Sequence, residues 1–276
     1  LRICLEKENL MANTADILFI VEGKVAEPTL IDKLLYVFNI HEKYTIYSYE
    51  TSIYELYEEL LLDEDLDVAL TLREKERDKR KKKKLSNKFL AIYLIFDFEP
   101  HDRKFDIEKI IKLNSFFNDP LEHGLLLINY PMVESFKHIS SMPDENFINK
   151  CITKTEARKY KQLVGSESKY TNINVFHPSN DIALNIIIHH MLKLNYLNNK
   201  ILDLPNFKEL TDIINSEQFV KNQFNAYNND SLPVVSTIYY FLVDLKQTTF
   251  YELINLPIID EIQRKFKIST NLEKEL

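Results

Sequence analysis

YLIFDFEPHD, Tyr93–Asp102, is the stretch of the sequence that decides the fold. Ala91–Phe96 is a short apolar run rich in β-branched and aromatic residues, and it stops abruptly at Asp97, Glu99 and Asp102, with Pro100 and His101 between them. A run of this length and texture predicts a buried strand, and open α/β sheets gather their chemistry at the carboxyl ends of such strands. Successive strand side chains alternate between faces, so Asp97 and Glu99 are expected to point the same way while Phe98 turns into the core. Two carboxylates side by side repel unless a cation or a proton sits between them. A hard divalent cation meets that need, because Mg²⁺ is commonly held by one or two carboxylates together with several waters. The plainer alternative is a strand running out into an acidic loop.

Upstream, Ile17–Val21 (ILFIV) is a second such run, ended by Glu22-Gly23. From Ala26 the spacing turns helical, with Leu30, Ile31, Leu34, Leu35 and Phe38 three and four apart and Pro28 in the first turn, where its missing N–H is tolerated. Tyr44–Tyr49 predicts a further strand, and Ile53, Leu56, Tyr57, Leu60 and Leu61 predict a helix opened by Thr51 or Ser52. Downstream, Asp106 opens a helix carrying Ile107, Ile110, Ile111 and Leu113, and Gly124–Tyr130 (GLLLINY) predicts a fourth strand, closed by Pro131 and followed by Glu134. Alternation of strand and helix implies a parallel sheet. Parallel strands end on one edge, so Glu22, Asp97, Glu99 and Glu134 are expected to converge although they are spread over more than a hundred residues.

Beyond about residue 145 the strand signals fade. Helical periodicity marks Asn146–Leu163, Asn180–Leu197, Phe207–Phe224 and Val234–Leu245, followed by a short apolar piece, Phe250–Leu256, with Pro178, Pro205 and Pro233 at expected helix starts. The expected organisation is therefore an α/β domain over residues 12–142 and a mainly helical region over 143–276. Adjacent helical residues point in different directions, so His189-His190 reads as structural rather than as a metal pair, and His177 beside Pro178 as a helix-start residue.

Composition excludes several classes. Gly23, Gly124 and Gly165 are the only glycines, and neither G-x-G-x-x-G nor G-x-x-x-x-G-K-[ST] occurs, so ATP or NAD binding by those loops is ruled out. Cys4 and Cys151 alone give no cysteine zinc site and point to a reducing compartment. With no long apolar segment and no basic-then-apolar leader, the expectation is a soluble cytoplasmic protein, with Met11 as a candidate start. A net charge of −7 argues against a general nucleic-acid coat. One local exception stands out, the segment that holds Arg73, Lys75, Arg77, Lys79, Arg80, Lys81, Lys82, Lys83 and Lys84. It reads either as a solvated helix extension or mobile loop or as a nucleic-acid contact, since phosphate neutralisation uses such clusters.

Val21-Glu22-Gly23 with a second acid at Glu27, followed by Phe96-Asp97-Phe98-Glu99, resembles the TOPRIM domain shared by topoisomerases, bacterial primases and OLD-type nucleases. That family has a glutamate after its first strand and an Asp-x-Asp after a later one; here the second acid of the pair is Glu99. The run INYPMVESFK, Ile128–Lys137, is similar to the Pro-x-x-Glu segment of RloB-like defence-associated TOPRIM proteins. The resemblance covers about Ile17–His138. It implies a Mg²⁺- or Mn²⁺-dependent nuclease acting on DNA or RNA, transfer RNA included, as the toxic effector of a bacterial anti-phage or abortive-infection system. Asp97 and Glu99 would hold metal, Glu22 would act as general base or share a metal, Glu27 and Glu134 would complete a second site, and Lys137 would neutralise the scissile phosphate. It further implies a separate ATPase chain as partner, with the helical half supporting a homodimer or substrate choice. The rival reading is a non-catalytic TOPRIM-fold interaction or regulatory subunit.

Overall fold

The computed structural model describes residues 16–60, 65–254 and 256–272; Met11, the first residues of the expected α/β domain and Leu61 lie outside them. The apolar runs of the first half become β1 (Asp16–Val21), β2 (Tyr44–Ser48), β3 (Phe89–Asp97) and β5 (Gly124–Asn129), joined by a two-residue β4 (Asn118–Asp119) that has no apolar run to announce it. They form one sheet in the order β2-β1-β3-β5-β4. β1 runs parallel to β2 and β3, and β3 to β5; β4 alone is antiparallel. β1 and β5 are buried along their whole length, the mark of strands covered on both faces. Register sets Val21 opposite Ser48 and Ile95, and Asp97 opposite Asn129, so the carboxyl ends of four strands share one edge.

Between these strands lie α1 (Ala26–Val37), α2 (Ile53–Glu59), α3 (Val68–Lys75), α4 (Lys79–Lys84) and α5 (Ile107–Phe116). α1 buries Leu30, Ile31, Leu34 and Leu35, the face its spacing predicts. Asp106 opens α5 by accepting the Glu108 amide, as an N-cap should. The chain is thus α/β, with a mainly parallel sheet flanked by helices.

The second half is helical but less continuous than its periodicity suggests. It contains α6 (Lys154–Ala157), α7 (Tyr160–Glu167), α8 (Ile182–Asn199), α9 (Phe207–Ile214), α10 (Glu217–Asn228), α11 (Tyr240–Leu245), α12 (Gln247–Leu253) and α13 (Leu256–Leu272). The expected helix over Asn146–Leu163 is broken because Cys151–Ile152 (β6) is recruited as a strand by Leu232–Pro233 (β7), after which the Thr153–Glu156 capping box starts a new helix. Pro233 therefore lies in a strand, not at a helix start, and Val235 bridges Tyr130 at the end of β5. Phe207–Phe224 divides where Ser216 caps α10. The two halves share one core: the Phe241 ring lies 5.0 Å from Phe19, and the Tyr93 hydroxyl donates to Asp244 at 2.6 Å.

α8 is buried almost all round, including His189 and His190. His189 Nε2 accepts the Asp144 amide and its Nδ1 faces the Asn185 carbonyl; His190 Nδ1 accepts the Ser236 amide and its Nε2 faces Phe136 O. Both rings are spent on backbone groups, as structural histidines. Among the described residues no helix is long and apolar enough to cross a membrane.

Candidate functional site

β3 delivers Asp97 to the sheet edge, and the loop after β1 delivers Glu22. The Asp97 amide donates to Glu22 Oε2 at 3.1 Å, while Asp97 Oδ1 accepts the Val133 amide at 2.8 Å. Val133 opens a 3-10 turn, Val133–Lys137, that carries Glu134. Glu27, in the first turn of α1, is buried against the Gly23 loop. Loops from β1, β3 and β5 thus bring Glu22, Glu27, Asp97 and Glu134 together, and Glu99 joins them by a route the strand pattern does not predict. Phe98 is buried as expected, but the strand ends at Asp97 and Glu99 has a φ of +33°. The Pro131 carbonyl accepts both the Phe98 and the Glu99 amides, at 3.1 and 3.2 Å, and holds that bend. Asp97 and Glu99 are therefore not a same-face strand pair.

Proximity shows in the electrostatics. Burial, then Glu99, pushes Glu22 up to about 8. Burial, then Glu22, raises Asp97 well above the carboxylate range. Burial likewise raises Glu27 and Glu99. Like charges taken out of water cannot all stay ionised without compensation. One lysine helps: Lys161, on α7, lies 3.8 Å from Glu134 Oε1. Burial works against its charge, but Glu134, Asp97, Glu27 and Glu99 outweigh it and raise its pKa. Lys137, at the end of the 3-10 turn, pairs with no described carboxylate, and the lysine acting on Glu22, Glu27 and Glu99 is Lys161.

A second layer fixes Lys161 against Glu134. His138 follows the 3-10 turn and Tyr160 precedes Lys161; His138 Nδ1 lies 2.9 Å from the Tyr160 hydroxyl and Nε2 lies 2.8 Å from Glu167 Oε2. Burial lowers the His138 pKa, so the neutral ring donates Nε2–H to Glu167 and accepts the Tyr160 proton at Nδ1. The acid-bearing turn and the lysine-bearing helix are pinned together by that bond.

The donor set is all oxygen, which suits Mg²⁺ or Mn²⁺, and Glu134 Oε2 is buried without a hydrogen-bond partner. Among the described residues, however, no three Asp, Glu, His or Cys side chains are gathered tightly enough to grip an ion as they stand. In front of Glu22 and Glu99 opens a cavity of about 960 Å³, bordered by Lys24, Glu50, His101 and Arg103.

No family model, curated protein or solved structure matches this chain.

The basic segment lies on the β2 side. Arg73 is in the last turn of α3 and Arg77 is exposed between the helices. On α4, Lys81 reaches Ser48 O at 3.0 Å and pairs with Glu50, and Lys84 reaches Ile46 O at 3.3 Å. Lys79, Arg80, Lys82 and Lys83 are exposed. Of the groups at the site, Lys161 and the His138–Tyr160 pair escape sequence reading. A single lysine on a polar helix carries no local signal; only the docking of α7 gives it meaning.

Proposed function

We propose that the chain is a metal-dependent phosphodiester hydrolase of the TOPRIM type, cleaving DNA or RNA, transfer RNA included. We place it as the toxic effector of a bacterial anti-phage system, under the control of a separate ATPase chain. The observation that carries the reading is the meeting of Glu22, Asp97 and Glu134, from three separate strand ends, with Lys161 beside Glu134 and with Glu22 lining an open cavity. Buried carboxylates so arranged are costly for folding alone, and a function that needs concentrated negative charge explains their cost.

In this reading Asp97 and Glu134, with Glu99 or Glu27, would hold one or two Mg²⁺ or Mn²⁺ ions. When bound, such ions supply an activated water and stabilise the leaving oxygen. Glu22 would take a proton from the attacking water or share an ion. Lys161 offsets charge on the phosphoryl oxygens, the role expected of Lys137 from sequence. The test is a panel of labelled DNA, messenger-like RNA and transfer RNA with and without Mg²⁺ or Mn²⁺: wild-type protein cleaves at least one of them only with metal, and Asp97→Ala cleaves none. Equal cleavage by both proteins removes the site.

A non-catalytic TOPRIM-fold subunit is the second reading, favoured by the left-handed backbone at Glu99 and the open spacing of the carboxylates. Metal binding without cleavage of any nucleic acid would select it.

A further inference from the structure

The cavity has a second wall that metal binding does not use. Lys24, from the loop after β1, and His101, Arg103 and Lys104, from the loop after β3, line it together with the acids Glu22, Glu50, Glu55, Glu99 and Asp102. Lys24 is held by Glu50 at 2.5 Å and Lys104 pairs with Glu55. Arg103 is exposed and pairs with no described acid, while His101 Nδ1 is buried with no hydrogen-bond partner. A free guanidinium fork matches phosphate oxygens two at a time. Glu50 is also gripped by Lys81, so Lys24, Glu50 and Lys81 form a junction between the cavity rim and α4. Beyond that junction α4 exposes Lys79, Arg80, Lys82 and Lys83.

We infer that this wall is a binding site for the phosphodiester backbone of a single nucleic-acid strand. Arg103 and His101 hold the phosphate neighbouring the one at the carboxylates, and the strand leaves across the Lys24–Glu50–Lys81 junction along α4. Depth argues for one strand. Glu22 and Glu99, the carboxylates that line the cavity, are half-buried, and Asp97 and Glu27 beside them are only 5% and 4% exposed; a duplex is a stiff rod, with a persistence length of about 50 nm, that carries its phosphates on its outside. A strand free to bend lowers one phosphate into the recess while its neighbour meets Arg103. The choice of phosphate rests on the hydrolase reading; the binding wall does not.

The test is fluorescence anisotropy on the full chain in chelator, where metal-dependent cleavage is absent, with a short labelled DNA strand, the same strand as RNA, and the matching duplex. Single strands should bind more tightly than the duplex, and Arg103→Glu should weaken them on the order of tenfold at low salt. Arg103→Ala should lower the salt slope by about 0.7, the loss of one single-strand phosphate contact. Binding of RNA alone or DNA alone upholds the wall and identifies the strand. Unchanged affinity and slope in Arg103→Ala, Arg103→Glu and Lys24→Ala, or a duplex bound as tightly as the strands, overturns it. Cleavage measured separately with Mg²⁺ keeps the two readings apart. Arg103-dependent binding without cleavage sinks the hydrolase and leaves the wall, and cleavage with Arg103-independent binding does the reverse.

Discussion

The Asp97 amide donates to the Glu22 carboxylate at 3.1 Å, joining the ends of two adjacent parallel strands across 75 residues of chain. That bond lowers the Glu22 proton affinity, yet burial and Glu99 outweigh it. The site therefore carries electrostatic stress that protons or cations relieve.

Without metal, Glu22 holds in the folded state a proton that the unfolded chain releases near its ordinary 4.5, because its folded value is about 8. The contribution of Glu22 to stability is full below 4.5 and is lost as pH rises toward 8. Asp97, Glu27 and Glu99 are raised and act in the same direction. His189 and His190, pushed down to about 4 and about 3, act oppositely: their contribution is present above 6.5 and is lost as pH falls. Comparison with Glu22→Gln cancels the histidines. In chelator, the melting temperature of Glu22→Gln minus that of wild type should grow from pH 5 to pH 8; a constant difference contradicts the assignment.

A Cβ at Gly23 would stand 2.5 Å from Glu27 Oε2. The clash is with the end of a flexible side chain, so Gly23→Ala folds but displaces Glu27. Mn²⁺ affinity should fall about tenfold, the scale seen when support for a metal ligand is lost, with little change in the metal-free melting temperature.

Lys161, 3.8 Å from Glu134, is the cation expected to meet the phosphate. Lys161→Ala should slow single-turnover Mg²⁺-dependent cleavage on the order of a hundredfold. Lys137→Ala should leave it near the wild-type rate, and the opposite ranking would restore the assignment made from sequence.

Tyr160→Phe removes the donor to His138 Nδ1 and leaves a buried imidazole nitrogen unpaired. The expected cost is about 1–3 kcal/mol in urea unfolding. Because the bond pins Lys161 against the turn carrying Glu134, cleavage should fall further than the folded fraction does; a loss matching the folded fraction limits the pair to stability.

Much of this was legible in the sequence because central parallel strands are written as plain apolar runs: β1, β2, β3 and β5 fall within a residue or two of Ile17–Val21, Tyr44–Tyr49, Ala91–Phe96 and Gly124–Tyr130. Their shared edge made the convergence of Glu22, Asp97 and Glu134 readable. Ile152 and Val235 were not readable as extended, since their partners, Leu232 and Tyr130, lie far along the chain and apolar spacing alone mimics a helix. Glu99 was misplaced because strand alternation was carried two residues past the strand, over a backbone that turns left-handed. Lys161 depends wholly on where α7 docks.

The most direct test of the metal site is calorimetric titration of Mn²⁺ into wild-type protein and into Asp97→Asn, with circular dichroism to establish that both are folded. Wild type should bind with proton release that increases as pH is lowered from 8 toward 6, because ions replace protons on Glu22 and its neighbours. Asp97→Asn should give no comparable heat. Equal binding by both folded proteins, or none by wild type, would contradict the metal site on which the proposed function stands.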